Sequence, residues 1–137
     1  MELFHDGFLI SDDRALIQAD KAHELLSSTY WFRDRSKEAV AKSIENSLCF
    51  GVYKDGVQVG LARAITDYAV TYFLCDVVIG ESYRGLGLGK ALVEAVTGHE
   101  ILRNLMCWLA TKDAHELYEK YGFERVEGKV MRRVADL

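Results

Sequence analysis

The chain contains 137 residues, of which 50% are hydrophobic and 28% are charged, a size and composition typical of one compact domain. Its 17 basic and 21 acidic side chains give a net charge of -4, which argues against general nucleic-acid binding. No apolar stretch approaches the roughly 20 residues of a membrane span, and no cationic segment leads into an apolar one at the N-terminus. We therefore expect a single domain over residues 1–137 that is soluble and cytoplasmic, without membrane contact.

The N-terminal third is predicted to contain one strand and two helices. Residues 8–11 form a short apolar strand, and Asp12 or Asp13 is a suitable N-cap for a helix with an apolar stripe. A second helix is predicted over 36–47, with a serine at its N-cap. The segment between the helices, 27–35, is rich in aromatic side chains.

The rest of the chain is predicted to build a mixed sheet. An Asp-Gly pair at 55–56 indicates a tight hairpin. The later elements are strands over 48–53, 57–66, 70–79 and 104–110, helices over 89–99 and 113–121, and final strands over 123–134. Because strand, helix and strand in succession form a crossover, strands 70–79 and 104–110 should be parallel in an otherwise antiparallel sheet. The predicted fold class is α+β, a mostly antiparallel sheet flanked by helices.

A glycine loop follows the predicted strand 70–79 and precedes the helix 89–99. Gly85, Gly87 and Gly89 stand at alternate positions, so the backbone there can adopt conformations that other residues resist. Successive N–H groups can then converge on an anion at the positive end of the following helix. The loop predicts a phosphorylated ligand.

Two common phosphate-binding motifs do not fit this loop. A P-loop requires G-x-x-x-x-G-K-[ST], but Arg84 stands at its first glycine and Ala91 at its hydroxyl position. A dinucleotide fingerprint requires G-x-G-x-x-G, but Lys90 or Leu92 stands at its third glycine, and residues 105–110 contain no acidic side chain. ATP or GTP hydrolysis and NAD or FAD binding are therefore disfavoured.

The pattern that does fit is R-x-x-G-x-G, at Arg84, Gly87 and Gly89, followed downstream by A-H-E-L-Y-E-K-Y-G-F at 114–123. In this order and spacing, the two motifs resemble those of the GNAT (GCN5-related) N-acetyltransferase family, and the similarity extends over about residues 10–132. The resemblance implies the GNAT fold, in which the parallel strands splay apart. It also implies acetyl-CoA as the acyl donor, with no metal.

By the same resemblance, the donor is bound by strand and loop backbone. The implied cofactor-binding residues are Val77, Val78, Arg84, Gly85, Leu86, Gly87, Leu88, Gly89 and Lys90. The side chains of Val77 and Val78 are expected in the core, so only their backbone is assigned to the ligand. Arg84 and Lys90 would complement phosphate; otherwise they are ordinary solvated charges.

The implied chemistry is direct attack of a primary amine on the thioester in a ternary complex. Tyr118 matches the family's L-Y-E-K motif and is our candidate for the acid that protonates the leaving thiolate, with Tyr121 as a substitute. Its helical spacing also fits a core aromatic residue. Asp76 is the leading candidate for the base because it interrupts an apolar strand, although a salt bridge to Arg63 would explain it equally well. Asp67, Glu81 and His115 are weaker base candidates.

The acceptor is expected to lie against the first interhelical segment and the hairpin strands. The candidate substrate-binding residues are Tyr30, Trp31, Arg33, Arg63 and Asp67. We expect a small-molecule amine acceptor, and family membership makes a homodimer reasonable. The alternatives are a non-catalytic acyl-CoA-binding module, a nucleotide-binding domain, and an acetyltransferase of protein N-termini or lysines. The sequence specifies neither the acceptor nor the largest acyl group used.

The three cysteines, Cys49, Cys75 and Cys107, each lie in an apolar run without C-x-x-C spacing. We expect buried free thiols. A nucleophilic Cys75 is the alternative, but the neighbouring Asp76 carboxylate would disfavour its thiolate.

Overall fold

A single mixed sheet organises the fold in this computed structural model, which describes residues 1–135. Its strands are β1 (Glu2–His5), β2 (Phe8–Ser11), β3 (Leu48–Lys54), β4 (Val57–Thr66), β5 (Thr71–Ile79) and β6 (Met106–Trp108). They lie side by side in chain order, antiparallel from β1 to β5, with β6 parallel to β5. The predicted α+β class and the parallel final pair are confirmed. Strand β1 was not predicted.

Four helices flank this sheet: α1 (Ala19–Ser27), α2 (Lys37–Glu45), α3 (Leu88–Thr97) and α4 (His115–Glu119). Ser36 caps α2 as predicted, since its hydroxyl accepts the Ala39 N–H at 3.0 Å. The cap predicted at Asp12 or Asp13 does not begin α1. Asp13 instead caps a short 3-10 turn, Arg14–Leu16, after which the chain becomes extended before α1 starts.

Two apolar layers cover opposite faces of the sheet. On one face α3 buries Leu88, Leu92 and Val96, which recur at helical spacing, against residues such as Phe50. On the other face α1 and α2 bury residues such as Leu26 against β3 and β4. Among residues 1–135, no helix is both long and apolar enough to cross a membrane.

A β-bulge in β5 changes which layer its side chains join. Arg63 of β4 pairs with Cys75, whereas Leu61 pairs with Val78, so β5 carries one extra residue in this interval. Because strand side chains alternate between faces, that insertion reverses the alternation. Leu74 therefore packs in the α3 layer and Val78 in the α1–α2 layer, although they are four positions apart.

Strands β5 and β6 pair over only a short length. The paired residues are Thr71 with Met106, Tyr72 with Cys107 and Phe73 with Trp108. Beyond Phe73 the β6 side of β5 has no ladder partner within residues 1–135. The splayed parallel pair is thus present in the fold.

The strands predicted over 123–134 do not form. The segment 123–135 follows α4 without sheet pairing, and Met131 is 97% exposed. A strand needs a hydrogen-bonded neighbour, and this segment lies apart from β6, the nearest edge that would provide one. The segment contains several apolar side chains, but none of it pairs with a strand within residues 1–135.

Candidate active site

The glycine loop is held by backbone geometry that its sequence requires. Gly85 and Gly87 both have φ of +79°, a left-handed conformation that side chains with a Cβ resist. Gly87 is the N-cap of α3, so the turn delivers the chain directly into the first turn of that helix. Gly89 is already helical, and a Cβ added there would meet nothing within 4 Å.

The loop leaves a run of backbone donors free. From Gly85 to Lys90, none of the amide N–H groups donates a hydrogen bond to an oxygen of residues 1–135. The first amides of a helix have no partner within the helix and carry the positive end of its dipole. Together with the open space beside Gly89, these donors fit a pyrophosphate group.

Three side chains border the loop. Arg84 is exposed and uses only its Nε atom within the described chain, donating to the Ile79 carbonyl at 3.1 Å. Lys90 lies in the first turn of α3 and is also exposed. His5 of β1 is the residue that sequence reasoning missed: its Nε2 lies 3.3 Å from the Leu86 carbonyl oxygen. Nothing in the local sequence indicated His5, since 81 residues separate the two partners.

The β5 edge between the bulge and the loop carries Val77 and Val78. Both side chains pack into apolar layers, as predicted. On the side facing β6 this edge lacks a ladder partner among residues 1–135, so its backbone is available to an extended ligand. The loop amides follow directly, because β5 ends at Ile79 and Gly80 is anchored to the Val59 carbonyl at 2.8 Å.

Asp76 occupies the bulge with φ of +53°, a conformation uncommon outside glycine, asparagine and aspartate. Its side chain is 2% exposed and binds three groups. Arg35 donates both guanidinium N–H groups at 2.9 Å, Arg63 donates from Nε at 2.9 Å, and Trp31 donates from Nε1 at 3.2 Å. Burial raises the pKa of Asp76, but the bonds and charges of Arg35 and Arg63 outweigh burial and hold that pKa below its usual value.

This arrangement argues against Asp76 as the general base. A general base needs an oxygen that is free to accept a proton and a pKa near the working pH. Both oxygens of this carboxylate already accept hydrogen bonds, and its pKa is lowered. The salt bridge to Arg63, the alternative in the sequence interpretation, is present. Asp76 ties the α1–α2 segment to β4 and β5.

Tyr118 lies near the end of α4 and is 8% exposed. Its ring packs edge-on against Phe123, with centroids 5.6 Å apart. Burial, followed by the nearby Cys107 and Tyr30, raises the pKa of Tyr118 to about 12, so the phenol stays protonated at neutral pH. No hydrogen bond within residues 1–135 is among the causes that shift the Tyr118 pKa, so its hydroxyl is left free to donate.

Tyr118 faces a large cavity of about 880 Å³. The cavity lies between β6 and α4 on one side and the segment 123–130 on the other. Tyr121, the substitute acid candidate, also lines it, but its hydroxyl donates to Glu94 at 2.8 Å. Of the two phenols, Tyr118 is the one with an unengaged hydroxyl.

Of the candidate substrate-binding residues, Tyr30 and Arg33 are exposed, whereas Trp31 and Arg63 bind Asp76. Tyr30 is 63% exposed, packs edge-on against Trp31 and has the Lys112 ammonium over its ring. It is near enough to Tyr118 to raise the pKa of that residue. Arg33 is exposed in the same segment, and Arg63 is committed to Asp76.

Asp67 is not brought to this site. It lies in the β4–β5 turn, at the opposite end of β5 from the glycine loop, and its carboxylate accepts three backbone amides of that turn. Those bonds lower its pKa and explain its position without a substrate.

The remaining candidates for chemistry are the cysteine thiols and the side chains that could bind a metal. Burial raises the pKa of Cys49 to about 12 and of Cys75 to about 11, so both thiols stay protonated at neutral pH. No group of three or more His, Cys, Asp or Glu side chains within residues 1–135 is arranged to hold a metal ion.

Comparison with known proteins identifies the family of this chain. The sequence model of the Acetyltransferase (GNAT) family matches residues 16–123, most of the chain. The chain belongs to the GNAT acetyltransferase family. Acetyl transfer is the activity of this family, and acetyl-CoA is its donor.

Individual GNAT relatives agree with this assignment. A crystal structure of a GNAT-family protein from Xanthomonas campestris pv. campestris is 39% identical, with a TM-score of 0.88 over 97% of this chain and 95% of that one. A protein from Gibberella zeae named as a candidate acetyltransferase is 32% identical, covering 82% of this chain and 76% of the relative. A Clostridium acetobutylicum protein solved with acetyl-CoA shares the fold, with a TM-score of 0.68 at 11% identity over 92% and 94% of the two chains.

Proposed function

We propose that this protein is an N-acetyltransferase that moves the acetyl group of acetyl-CoA to a primary amine of a small molecule. The observation that carries the proposal is the uninterrupted run of free amides from Gly85 to Lys90, beside a strand edge open to a ligand and a phenol free to donate. The loop amides suit the phosphates of the donor, the open β5 edge suits its pantetheine arm, and the phenol suits the thiolate that leaves.

The loop and β5 hold the donor in this proposal. Amides of Gly85 to Lys90 bind the pyrophosphate, with Arg84, Lys90 and His5 at its border. The free backbone groups of β5 near Val77 and Val78 pair with the amides of the pantetheine arm as an added strand would. This alignment fixes the thioester carbonyl near the bulge, where a β5 N–H can stabilise the developing oxyanion.

Tyr118 supplies the proton that the leaving thiolate takes up. The neutral amine attacks the thioester carbon, the carbon–sulfur bond breaks, and the Tyr118 hydroxyl gives its proton to the departing sulfur. The proton lost by the amine nitrogen restores the phenol through solvent, so amide and free CoA thiol are the products. A pKa of about 12 keeps Tyr118 protonated before each turnover.

Asp76 has a positioning role rather than a proton-transfer role in this scheme. Its bonds to Trp31 and Arg35 hold the α1–α2 segment beside β5, and that segment carries Tyr30 toward the Tyr118 side. The acceptor is then bound between Tyr30 and the cavity of α4. The scheme requires no protein base, because the ammonium form of the acceptor loses one proton to water before attack. The nitrogen then loses its second proton through solvent after attack.

The test compares wild-type protein with Tyr118→Phe. Chromatography measures CoA formed from acetyl-CoA across a panel of small amines, and titration calorimetry measures acetyl-CoA affinity. We expect one amine class to accelerate CoA release and Tyr118→Phe to reduce kcat about 100-fold, the lower range for general acid catalysis, with little change in affinity. Tyr68→Phe is the matched control, because this exposed tyrosine lies by the β4–β5 turn.

The outcomes separate the competing functions. Full activity in Tyr118→Phe would remove this residue from the mechanism. Acetyl-CoA binding without release by any amine or by peptides with free N-termini and lysines would favour the non-catalytic module. Release with peptides only would assign a protein acceptor instead.

A further inference from the structure

Strand β1 adds little to the core of the domain. Its first three residues, Glu2, Leu3 and Phe4, are all exposed, Phe4 by 72%. Its last residue, His5, is half-buried and faces the glycine loop, where its Nε2 lies 3.3 Å from the Leu86 carbonyl oxygen. The half-buried side chain of β1 is therefore the one that contacts the loop.

A tight hairpin fixes the position of His5. Asp6 and Gly7, which join β1 to β2, have φ of +47° and +84°, both positive as a type I′ turn requires. Across this turn His5 pairs with Phe8, and Phe8 is buried in the layer that α3 covers. One ladder pair thus connects the place of His5 to the core.

The hydrogen bond to the loop has a defined direction. The Leu86 carbonyl oxygen can only accept, and Asp6 Oδ2, which lies 3.6 Å from the same ring nitrogen, is also an acceptor. His5 therefore carries a proton on Nε2 and donates it to Leu86. Among residues 1–135, His5 is the group that donates to this carbonyl.

This bond also determines where the next amide points. A trans peptide is planar, so the Leu86 carbonyl and the Gly87 N–H point in opposite directions. Gly87 has φ of +79° and ψ of +9°, the values of the third residue in a type II turn. In a type I turn the same peptide is reversed, and the carbonyl would face the side that the N–H faces now. A carbonyl on that side would repel phosphate oxygens.

We propose that His5 is a positioning residue for acetyl-CoA binding: its bond to Leu86 holds the Leu86–Gly87 peptide with the Gly87 N–H toward the phosphates. Glycine accepts positive and negative φ about equally, so this peptide reverses easily unless an outside contact holds it. His5 supplies that contact from behind the loop and does not touch phosphate. The inference rests on the proposed binding of acetyl-CoA by the glycine loop.

Amide variants of His5 test the bond by their reach. The side-chain nitrogen of glutamine can occupy the place of Nε2, whereas that of asparagine is too short to do so. Calorimetry with acetyl-CoA measures Kd. We expect His5→Asn to weaken binding about tenfold, roughly the loss of one charge-assisted hydrogen bond, and His5→Gln to stay within about threefold of wild type. Glu2→Gln, on the same strand but exposed, is the control and should leave Kd unchanged.

A double-mutant cycle separates positioning from direct contact with the ligand. Gly87→Ala resists positive φ and so disturbs the same peptide by itself, while its Cβ would lie an ordinary 3.5 Å from His5 Nε2. In this background His5→Asn should weaken binding by less than about twofold, because the peptide is already released. A further tenfold loss would show that His5 binds the ligand directly and would overturn the positioning role.

The same titrations distinguish failure of this inference from failure of the proposed function. Wild-type protein that does not bind acetyl-CoA would overturn both. Equal affinity in wild type and His5→Asn would leave the function in place and remove the role of His5. Thermal unfolding without ligand should be alike in the asparagine and glutamine variants. A lower unfolding temperature in His5→Asn alone would make the contact a structural one and contradict the proposal.

Discussion

The glycine loop and the C-terminal end of the sheet form two halves of the candidate site, and they differ in how they are encoded. The loop is contained in seven consecutive residues, 84–90, whose glycines set their own backbone conformation. The C-terminal end depends on β6, α4 and the segment 123–135, which has no strand partner within residues 1–135. The donor half is therefore complete locally, whereas the acceptor half depends on contacts that local sequence does not specify.

Asp76 ties the α1–α2 segment to β4 and β5, so its replacement is expected to have the largest effect on stability. Asp76→Asn removes the charge but tolerates the positive φ, and should lower the free energy of unfolding by about 3 kcal/mol, because Arg35 and Arg63 lose a buried partner. Asp76→Ala should cost about 1 kcal/mol more, because alanine also resists this conformation. Chemical denaturation measures both.

Asp34→Asn is the matched control for this comparison, since Asp34 also has positive φ, +53°, but is exposed. It should change the free energy of unfolding by less than about 0.5 kcal/mol. Because the pKa of Asp76 is lowered on folding, its stabilisation is present above the unfolded pKa near 3.9 and is lost as pH falls through the folded value. An Asn variant as stable as wild type at pH 7 would contradict the assigned role.

Gly85→Ala and Gly89→Ala sharpen the account of the loop because a Cβ meets nothing within 4 Å at either position, and only Gly85 has positive φ. Gly85→Ala should lose about 1 kcal/mol of stability to strain, and Gly89→Ala should gain up to about 1 kcal/mol from helix propensity. Both should weaken acetyl-CoA binding about tenfold, roughly the loss of one charge-assisted hydrogen bond.

Calorimetry with acetyl-CoA and thermal unfolding without it separate the two effects. Wild-type affinity in Gly89→Ala would place the donor away from this loop. A stability change of the same sign in both variants would refute the distinction between strain and propensity.

The pH dependence of kcat gives the smallest expected effect and tests the other half. Tyr118 must be protonated to act as the acid, and its pKa is raised to about 12. Activity should therefore rise with pH as the amine loses its proton and then level off, without a descending limb below about pH 10. A decline between pH 8 and 9 in a protein that remains folded by circular dichroism would point to another acid.

Much of the fold was predictable where its determinants are local. The hairpin at Asp55-Gly56, the Ser36 cap and the helix after the glycine loop each follow from adjacent residues, and the structure confirms them. Strand β1 and His5 were missed because a four-residue strand has too little pattern of its own. Its place is fixed only by pairing with β2.

The contacts of Asp76 and the C-terminal segment were less predictable because they depend on residues distant in sequence. Asp76 binds Arg35 across 41 residues and Trp31 across 45, and no spacing rule connects such pairs. The strands predicted over 123–134 do not form, because a strand also requires a hydrogen-bonded neighbour. In sequence, an exposed carboxylate that caps a turn, as Asp67 does, looks the same as one that binds a substrate.

The raised pKa values of the three cysteines have a consequence for an enzyme that releases a thiol. Disulfide exchange proceeds through the thiolate, and burial keeps Cys49 and Cys75 almost wholly in the thiol form. Burial raises the pKa of Cys107 as well, although that residue lies on the open edge strand. The protein therefore offers few reactive sulfurs to CoA disulfide, the oxidised form of its released thiol, and is protected from covalent capture by exchange with that disulfide.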